Sequence, residues 1–216
     1  NLGNVYKKKE NLNKSIESYE FAISLDIEKS KDKPYYNLGN IYRELGDYDK
    51  SINLYKKAIN INPNSISALI NLSISLNKNG NLKEAMNFCE RAAEKDPKNV
   101  RALNNLGEYN QEIGNEDLSI TYYKKALEIE PENLRSKWLM MNTFPIIYKN
   151  FEQIDYFKKH FEKNLRSLED LISKNNIFEK KQILSALNSS TNFYLHYHGD
   201  DITSLQKRYG ALLHKL

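Results

Sequence analysis

The chain repeats itself with a period of 34 residues, and this period limits its possible folds more than any other feature. Prolines, alanines and glycines recur at that spacing, namely Pro63, Pro97 and Pro131, then Ala58, Ala92 and Ala126, then Gly46, Gly80 and Gly114. A truncated earlier copy opens the chain with Asn1-Leu2-Gly3. Periods of this length are typical of arrays in which each unit is one supersecondary element that packs against its neighbours.

Each unit is predicted to form two helices joined by a glycine turn. Apolar residues three and four apart, such as Leu38 and Ile41, indicate the first helix. Gly46 supplies the left-handed residue that ends it. The second helix is expected to stop before Pro63, because proline cannot continue a helix and disfavours helical geometry in the preceding residue. Gly39 is expected to let the partner helix approach closely.

The spacing of these residues resembles the tetratricopeptide repeat. The matching positions in one unit are Leu38-Gly39, Tyr42, Ser51, Tyr55, Ala58 and Pro63. The resemblance covers about residues 1–144, with four copies and a degenerate fifth that begins near 134, and Cys89 replaces the usual aromatic residue of its unit. It implies an all-α, right-handed superhelix of antiparallel helix pairs, an α-solenoid whose first helices line a concave groove.

Residues 145–216 are predicted to form a helical capping or linker region. The fifth unit starts at Leu134 but meets Pro145, which breaks a helix. Further helices are predicted at Phe151–Ile172, Glu179–Leu187 and Ile202–Leu216, where Asp200 or Asp201 could cap the last one. A region of this kind would cover the exposed end of the array.

Four short segments beyond the repeats carry a second resemblance: Phe144–Tyr148, Phe151–Ile154, Asn192–Leu195 with Tyr197 and Gly199, and Leu205–Gly210. They are similar to the post-repeat junction in bacterial relatives of the SPINDLY and O-linked N-acetylglucosamine transferase family. In that family the junction leads to a two-lobed catalytic region that uses a nucleotide sugar. No strand–helix alternation for such a lobe occurs in these 216 residues, so the resemblance carries over no catalytic residue.

Asparagines mark the predicted groove. Asn37, Asn71 and Asn105 each precede the leucine of the first helix, as Asn1 does in the truncated copy, while Asn4 and Asn40 lie one turn further on. An amide offers one acceptor and two donors, which matches a peptide backbone, and the column resembles the asparagine ladder of the transferase superhelix. We therefore predict a peptide-binding groove at Asn4, Asn37, Asn40, Asn71 and Asn105. Their side chains are expected to face solvent when the groove is empty.

Composition argues against several other functions. The net charge of +4 is spread along the chain, so we expect no nucleic-acid partner. No apolar run approaches the roughly 20 residues of a membrane helix. The single Cys89 excludes an internal disulfide and a thiolate metal site, which favours a cytoplasmic location. Glycines punctuate the repeats and form no phosphate-binding loop, so no cofactor is predicted.

Histidines are the remaining candidates for chemistry. The pair His196 and His198 could bind a metal if further ligands converged, but packing is the favoured interpretation and no metal is predicted. His160 and His214 are expected to lie at the surface. Since no nucleophile–base pair is recognisable, this chain is not expected to be an enzyme, while a longer parent protein could be a glycosyltransferase.

Three functional hypotheses follow. The first is a module that binds proteins or extended peptides, the substrate-recognition fragment of a larger protein. The second is the N-terminal arm of a SPINDLY-like glycosyltransferase whose catalytic region is absent here. The third is a chaperone adaptor or assembly scaffold. Asn4 and Asn37 would fit two slots of an adaptor's carboxylate clamp, but Ser67 and Asn71 stand where Lys and Arg are needed. No membrane partner is expected, and the oligomeric state is left open.

Overall fold

The computed structural model describes residues 12–25, 31–145, 147–174 and 203–215. These residues form ten helices and no strand, which confirms the all-α repeat fold. The helices are α1 (Leu12–Ser24), α2 (Asp32–Glu44), α3 (Tyr48–Ile61), α4 (Ile66–Lys78), α5 (Leu82–Lys95), α6 (Val100–Glu112), α7 (Glu116–Ile129), α8 (Leu134–Met141), α9 (Phe151–Lys174) and α10 (Thr203–Lys215). Neighbouring helices pair as α2 with α3, α4 with α5, and α6 with α7.

The helix ends follow the predicted local signals. Glycines between paired helices have φ near +80° (79°, 82° and 76° for Gly46, Gly80 and Gly114), a conformation that costs a glycine little. Before the periodic prolines, Asn62, Asp96 and Glu130 leave the helical region with ψ of 86°, 87° and 85°. After Pro97 and Pro131 the next helix begins with a side-chain cap, as where Asn99 accepts a hydrogen bond from the Ala102 amide at 3.2 Å.

Gly39 and Gly107 allow the paired helices to pack closely around a tyrosine ring. A β-carbon on Gly39 would lie 2.8 Å from Cε1 of Tyr55, and one on Gly107 would lie 2.3 Å from Cε1 of Tyr123. The repeat between them has Cys89 at the tyrosine position and Ser73 at the glycine position, both fully buried. The smaller cysteine side chain leaves room for the β-carbon of the serine, which explains why the two departures occur together.

The chain forms two compact units, residues 1–97 and 98–216. The core of the first includes Tyr19, Leu38 and Ile41, which are almost completely buried. The core of the second extends from the repeat helices into the C-terminal helices and includes Ile120, Trp138, Phe144, Phe161, Leu165, Tyr209 and Leu212. The predicted boundary between repeats and capping region near residue 144 stays a prediction.

The C-terminal helices begin close to the predicted residues. Helix α8 ends at Met141, ahead of Pro145, and α9 begins at Phe151 as expected. Helix α10 contacts α8 and α9: the Tyr209 ring stacks on Trp138 with centroids 5.6 Å apart, and Arg208 pairs with Glu169. The predicted Glu179–Leu187 helix, the caps Asp200 and Asp201, the His196/His198 pair and the 192–199 motif lie outside the described residues. None of the helices that the structure describes is long and apolar enough to span a membrane.

Candidate functional site

An interlocked set of polar side chains lies between α2, α3 and α4 of the first unit. The Tyr55 hydroxyl donates to Oδ1 of Asn40 at 2.7 Å, and Nδ2 of Asn71 donates to the same oxygen at 2.8 Å. Asn71 Nδ2 also donates to the Tyr36 hydroxyl at 3.2 Å. We call Tyr36, Asn40, Tyr55 and Asn71 the amide cluster, which joins the first helices of two successive repeats.

The amide cluster is set against buried aromatic surface. Tyr55 is fully buried, and its ring lies 6.0 Å from that of Tyr36, centroid to centroid. Burial raises the pKa of Tyr55 to about 12, while the nearby Arg43 guanidinium opposes the shift. The Tyr55 hydroxyl therefore keeps its proton at neutral pH and acts as a hydrogen-bond donor to Asn40.

The structure separates the five predicted site residues into three groups. Asn37 and Asn40 are half-buried. Asn71 and Asn105 are only 4% and 2% exposed, so the expectation that they face solvent was wrong. Each is buried because a neighbouring helix covers it and supplies a hydrogen-bond partner, Asn40 in one case and Arg135 in the other. Asn4 lies outside the described residues.

Asn37 differs from Asn40, Asn71 and Asn105 in its hydrogen bonding. Its side chain makes no hydrogen bond to any residue that the structure describes, and it is partly exposed. It lies one turn before Asn40 on the same face of α2. Of the predicted asparagines whose positions are described, Asn37 is therefore the one best able to bind a ligand without breaking a hydrogen bond to a described residue.

The second unit has a different polar cluster, in which Glu108 and Tyr123 stand at the repeat positions of Asn40 and Tyr55. Arg135 of α8 forms an ion pair with Glu108 of α6 and donates to Oδ1 of Asn105 at 3.3 Å. Tyr123 is fully buried, and its hydroxyl has no hydrogen bond of ordinary geometry with a described residue. Burial, and then the Glu108 carboxylate, raise its pKa. Asn105, Glu108, Tyr123 and Arg135 are called the ion-pair cluster.

Sequence reasoning missed Tyr36, Arg43, Glu108 and Arg135. Two signals could have found them. Tyr36, Asn40 and Arg43 are spaced four and three apart, so they share one face of α2. Comparison at twice the 34-residue period would also have shown that Glu108 replaces Asn40.

Other candidates for chemistry are already engaged. His160 is largely buried, and Nε2 lies 2.8 Å from the Met140 carbonyl oxygen, so its predicted surface position was wrong. Burial lowers its pKa, the hydrogen bond to Met140 opposes the shift, and Lys124 and Lys163 lower the pKa further. Cys89 is fully buried, as expected of a small apolar residue. The described residues contain no group of three potential metal ligands.

A cavity of about 840 Å³ lies in the second unit, beside α9 and the loop before α8. Side chains of both charges line it, and several of them make contacts within the protein. Lys137 donates to the Ser167 hydroxyl at 2.8 Å, and Arg166 pairs with Glu162 at 2.5 Å. This internal pairing gives the cavity no clear preference for a ligand of one charge.

Comparison with known proteins identifies the repeats. Three family models match the chain, and each is described as tetratricopeptide repeat. One matches residues 33–65, a second matches residues 1–26 and 100–133, and a third matches residues 54–87. Together the matches cover more than half of the chain. None of the curated proteins matches the sequence.

Solved structures share the fold. MamA is 21% identical, with a TM-score of 0.70 over 81% of this chain and 98% of that chain. YrrB, described as a TPR protein with an unusual peptide-binding site, is 17% identical, with a TM-score of 0.62 over 85% of this chain and 87% of that chain. PilF of Pseudomonas aeruginosa is 14% identical, with a TM-score of 0.65 over 85% of this chain and 79% of that chain. Identities this low show likeness of fold alone.

Proposed function

The chain belongs to the tetratricopeptide-repeat family, and from that premise we propose that it binds protein or extended peptide segments and catalyses no reaction itself. The observation that carries the proposal is the partly exposed amide of Asn37, which makes no hydrogen bond to a described residue and lies beside the amide cluster. An amide in this state offers both a donor and an acceptor to a passing peptide group. The peptide-binding site named for YrrB supports the same type of ligand.

The proposed contacts are narrower than the full asparagine column. Asn37 would bind peptide backbone directly, and Asn40 would add its Nδ2, which makes no hydrogen bond to a described residue. Asn71 would act as a positioning residue, because its amide holds Asn40 in place. Asn105 is buried and bonded to Arg135, so we assign it no direct contact.

Backbone contacts of this type do not read side chains. Binding is therefore expected to be broad in sequence and weak for each contact, at about 0.5–1.5 kcal/mol per hydrogen bond. A module with these properties suits a substrate-recognition fragment or an assembly scaffold. A cytoplasmic location and the glycosyltransferase arm remain parts of this proposal that rest on the sequence alone.

A peptide array with three variants tests the proposal. Asn37→Ala should weaken binding across the array by about two- to tenfold and leave the melting temperature unchanged, since one exposed hydrogen-bonding group is lost. Asn71→Ala should lower the melting temperature, because removing the amide breaks two partly buried hydrogen bonds. Asn53→Ala, an exposed asparagine on α3, is the matched control and should change neither property.

Two results would contradict the proposal. One is a wild-type chain that retains no peptide on the array. The other is an Asn37→Ala variant that binds as well as Asn53→Ala, which would show that the Asn37 amide has no part in binding.

A further inference from the structure

The turn between α4 and α5 contains the only Asn-Gly step in the chain, Asn79-Gly80, and Asn79 is exposed. Asparagine is thermally labile, and glycine makes it more so, because a residue without a side chain does not hinder attack of its backbone nitrogen on the asparagine side chain. The other two glycine turns contain Leu45-Gly46 and Ile113-Gly114. Of these three turns, only the one between α4 and α5 therefore carries a reactive amide.

The Asn79 side chain joins two successive repeats. Its Nδ2 donates a hydrogen bond to Oδ1 of Asp49, an acidic residue in the first turn of α3, at 3.0 Å. Asn79 itself directly follows the end of α4. A carboxylate in place of this amide would remove the donor and put two negative charges within hydrogen-bonding distance, where they repel each other. The chemistry of this one side chain thus affects the contact between α3 and α4.

The closed turn holds Asn79 away from the geometry in which it can react. Deamidation forms a five-membered ring that includes the Gly80 nitrogen and Cα, Cβ and Cγ of Asn79, and these atoms have to approach one plane. Asn79 has φ of −90° and ψ of 8°, which turn the Gly80 nitrogen out of that plane. The Gly80 N–H also donates to the Asn77 carbonyl oxygen at 3.0 Å. The reaction therefore requires the turn to open and the bond to Asp49 to break.

We propose that Asn79 is a site of spontaneous deamidation and that the carboxylate formed there repels Asp49, so that the reaction weakens the contact between α3 and α4. When the turn opens, the Gly80 nitrogen attacks Cγ of Asn79 and closes a succinimide ring. The Cγ–Nδ2 bond breaks, and Nδ2 takes up the Gly80 amide proton and leaves as ammonia. Water then adds to one of the two ring carbonyls and opens the ring. The product at position 79 is aspartate or isoaspartate, and either one carries a carboxylate that asparagine lacks.

Asn62 provides a comparison within the same unit. Its Nδ2 donates to Oδ2 of Asp32, an acidic residue in the first turn of α2, at 2.9 Å. It directly follows the end of α3, as Asn79 follows the end of α4. The residue after Asn62 is Pro63, however, which has no backbone N–H to lose. The same side-chain contact thus occurs once before a reactive neighbour and once before an unreactive one.

Peptide mapping by mass spectrometry measures the reaction while the full 216-residue chain is incubated in mildly alkaline buffer. Asn79 should be converted faster than any other described asparagine, including Asn64, which precedes a serine, while Asn62 should stay intact. Asp49→Ala should speed the conversion of Asn79 about two- to tenfold, because the restraining hydrogen bond is lost. Gly80→Asn should slow it, since asparagine tolerates the φ of +82° and its side chain hinders the attack.

Melting temperatures test the consequence for stability. Asn79→Asp reproduces the aspartate product and should lower the melting temperature by about 1–3 °C. The double variant Asp49→Asn, Asn79→Asp exchanges donor and acceptor and should recover most of the loss. Asp32→Asn combined with Asn79→Asp is the matched control. It should recover nothing, because Asp32 bonds to Asn62.

Three results would count against the proposal. Equal conversion of Asn79 and Asn62 would overturn the modification site. An unchanged rate in Gly80→Asn would show that the Gly80 nitrogen is not the attacking group. Equal melting temperatures of Asn79→Asp with and without Asp49→Asn would overturn repulsion by Asp49 as the cause of the lost stability.

Discussion

The amide cluster of the first unit and the ion-pair cluster of the second share two repeat positions, Asn40 with Glu108 and Tyr55 with Tyr123, but meet their polar requirements differently. In the first, neutral amides and hydroxyls bond to one another around Asn40. In the second, Glu108 pairs with Arg135, and the Tyr123 hydroxyl has no hydrogen bond of ordinary geometry to a described residue. One cause of the difference is visible in the sequence. The second unit has Leu139 at the repeat position of Asn71, so it lacks the amide that bonds to Asn40 in the first unit. The same backbone geometry, repeated in the two units, thus supports two different electrostatic environments.

This difference matters for ligand binding. The second unit supplies its own anion to its cation, so a ligand carboxylate would have to displace Glu108. In the first unit, Arg43 lies beside the Tyr55 hydroxyl and has no carboxylate partner among the described residues. Repeats with the same fold can therefore differ in the ligands that they accept.

The largest effect is expected where the two units are most alike, at the glycines beside the tyrosine rings. Gly107→Ala would place a methyl group against the Tyr123 ring, which is fully buried and has little space to move. We expect the free energy of unfolding to fall by about 1–3 kcal/mol, although alanine is the better helix former. Gly39→Ala should cost less, because its contact with Tyr55 is less severe. Denaturant unfolding followed by circular dichroism measures both changes.

Gly210→Ala is the control for these variants. It adds the same methyl group to α10, where nothing lies within 4 Å of it. This change should be neutral or stabilise by up to about 1 kcal/mol. If Gly107→Ala proved as stable as Gly210→Ala, the close packing of Gly107 on Tyr123 would be disproved.

A smaller effect should distinguish the two clusters through a single atom. Tyr55→Phe removes the hydroxyl that donates to Asn40 and should lower the free energy of unfolding by about 0.5–1.5 kcal/mol. Tyr123→Phe removes a buried hydroxyl that has no partner among the described residues, so stability should stay the same or rise slightly. Each variant is the control for the other in the same denaturant experiment. Equal losses would show that Tyr123 is as well bonded as Tyr55.

The smallest effect concerns pH and the second unit, since residues 1–97 contain no histidine. Burial holds the pKa of His160 below its ordinary value of 6.5, so the unfolded chain takes up a proton more readily than the folded chain. The contribution of His160 to stability is therefore present above about pH 6.5 and is lost as the pH falls through the lowered folded-state pKa.

His160→Gln isolates this contribution. Glutamine does not titrate and could still donate to the Met140 carbonyl oxygen, so the loss of stability between about pH 7 and about pH 5 should be smaller in the variant. Urea unfolding at several pH values measures how steeply the free energy of unfolding changes with pH. An unchanged slope would mean that other groups cause the pH dependence.

Predictions made from local sequence signals agree well with the structure. The 34-residue period located the helix pairs, Gly46 and its equivalents formed the left-handed turns, and Pro63 marked a helix end. The start of α9 at Phe151 was predicted from its apolar periodicity. These features depend on residues within a few positions of one another, so their spacing along the chain is sufficient to predict them.

The candidate site was predicted less completely, because its properties depend on contacts between repeats. The period placed Asn37, Asn71 and Asn105 at one helix position, but it did not show that Asn71 and Asn105 are buried. Burial arises when a helix of a neighbouring repeat packs over them and supplies a partner: Asn40 from the preceding repeat for Asn71, and Arg135 from the following repeat for Asn105.

The sequence by itself thus determined the repeat, its helices and the small residues that let those helices pack, because each of these follows from local geometry. Only the tertiary structure decided which polar groups are already bonded and which remain available. Asn71 and Asn37 carry the same side chain at the same repeat position, yet the first is held in the amide cluster and the second has no partner among the described residues. Hydrogen bonds between neighbouring helices make that distinction, since the capacity of an amide to bind a ligand depends on the partners around it.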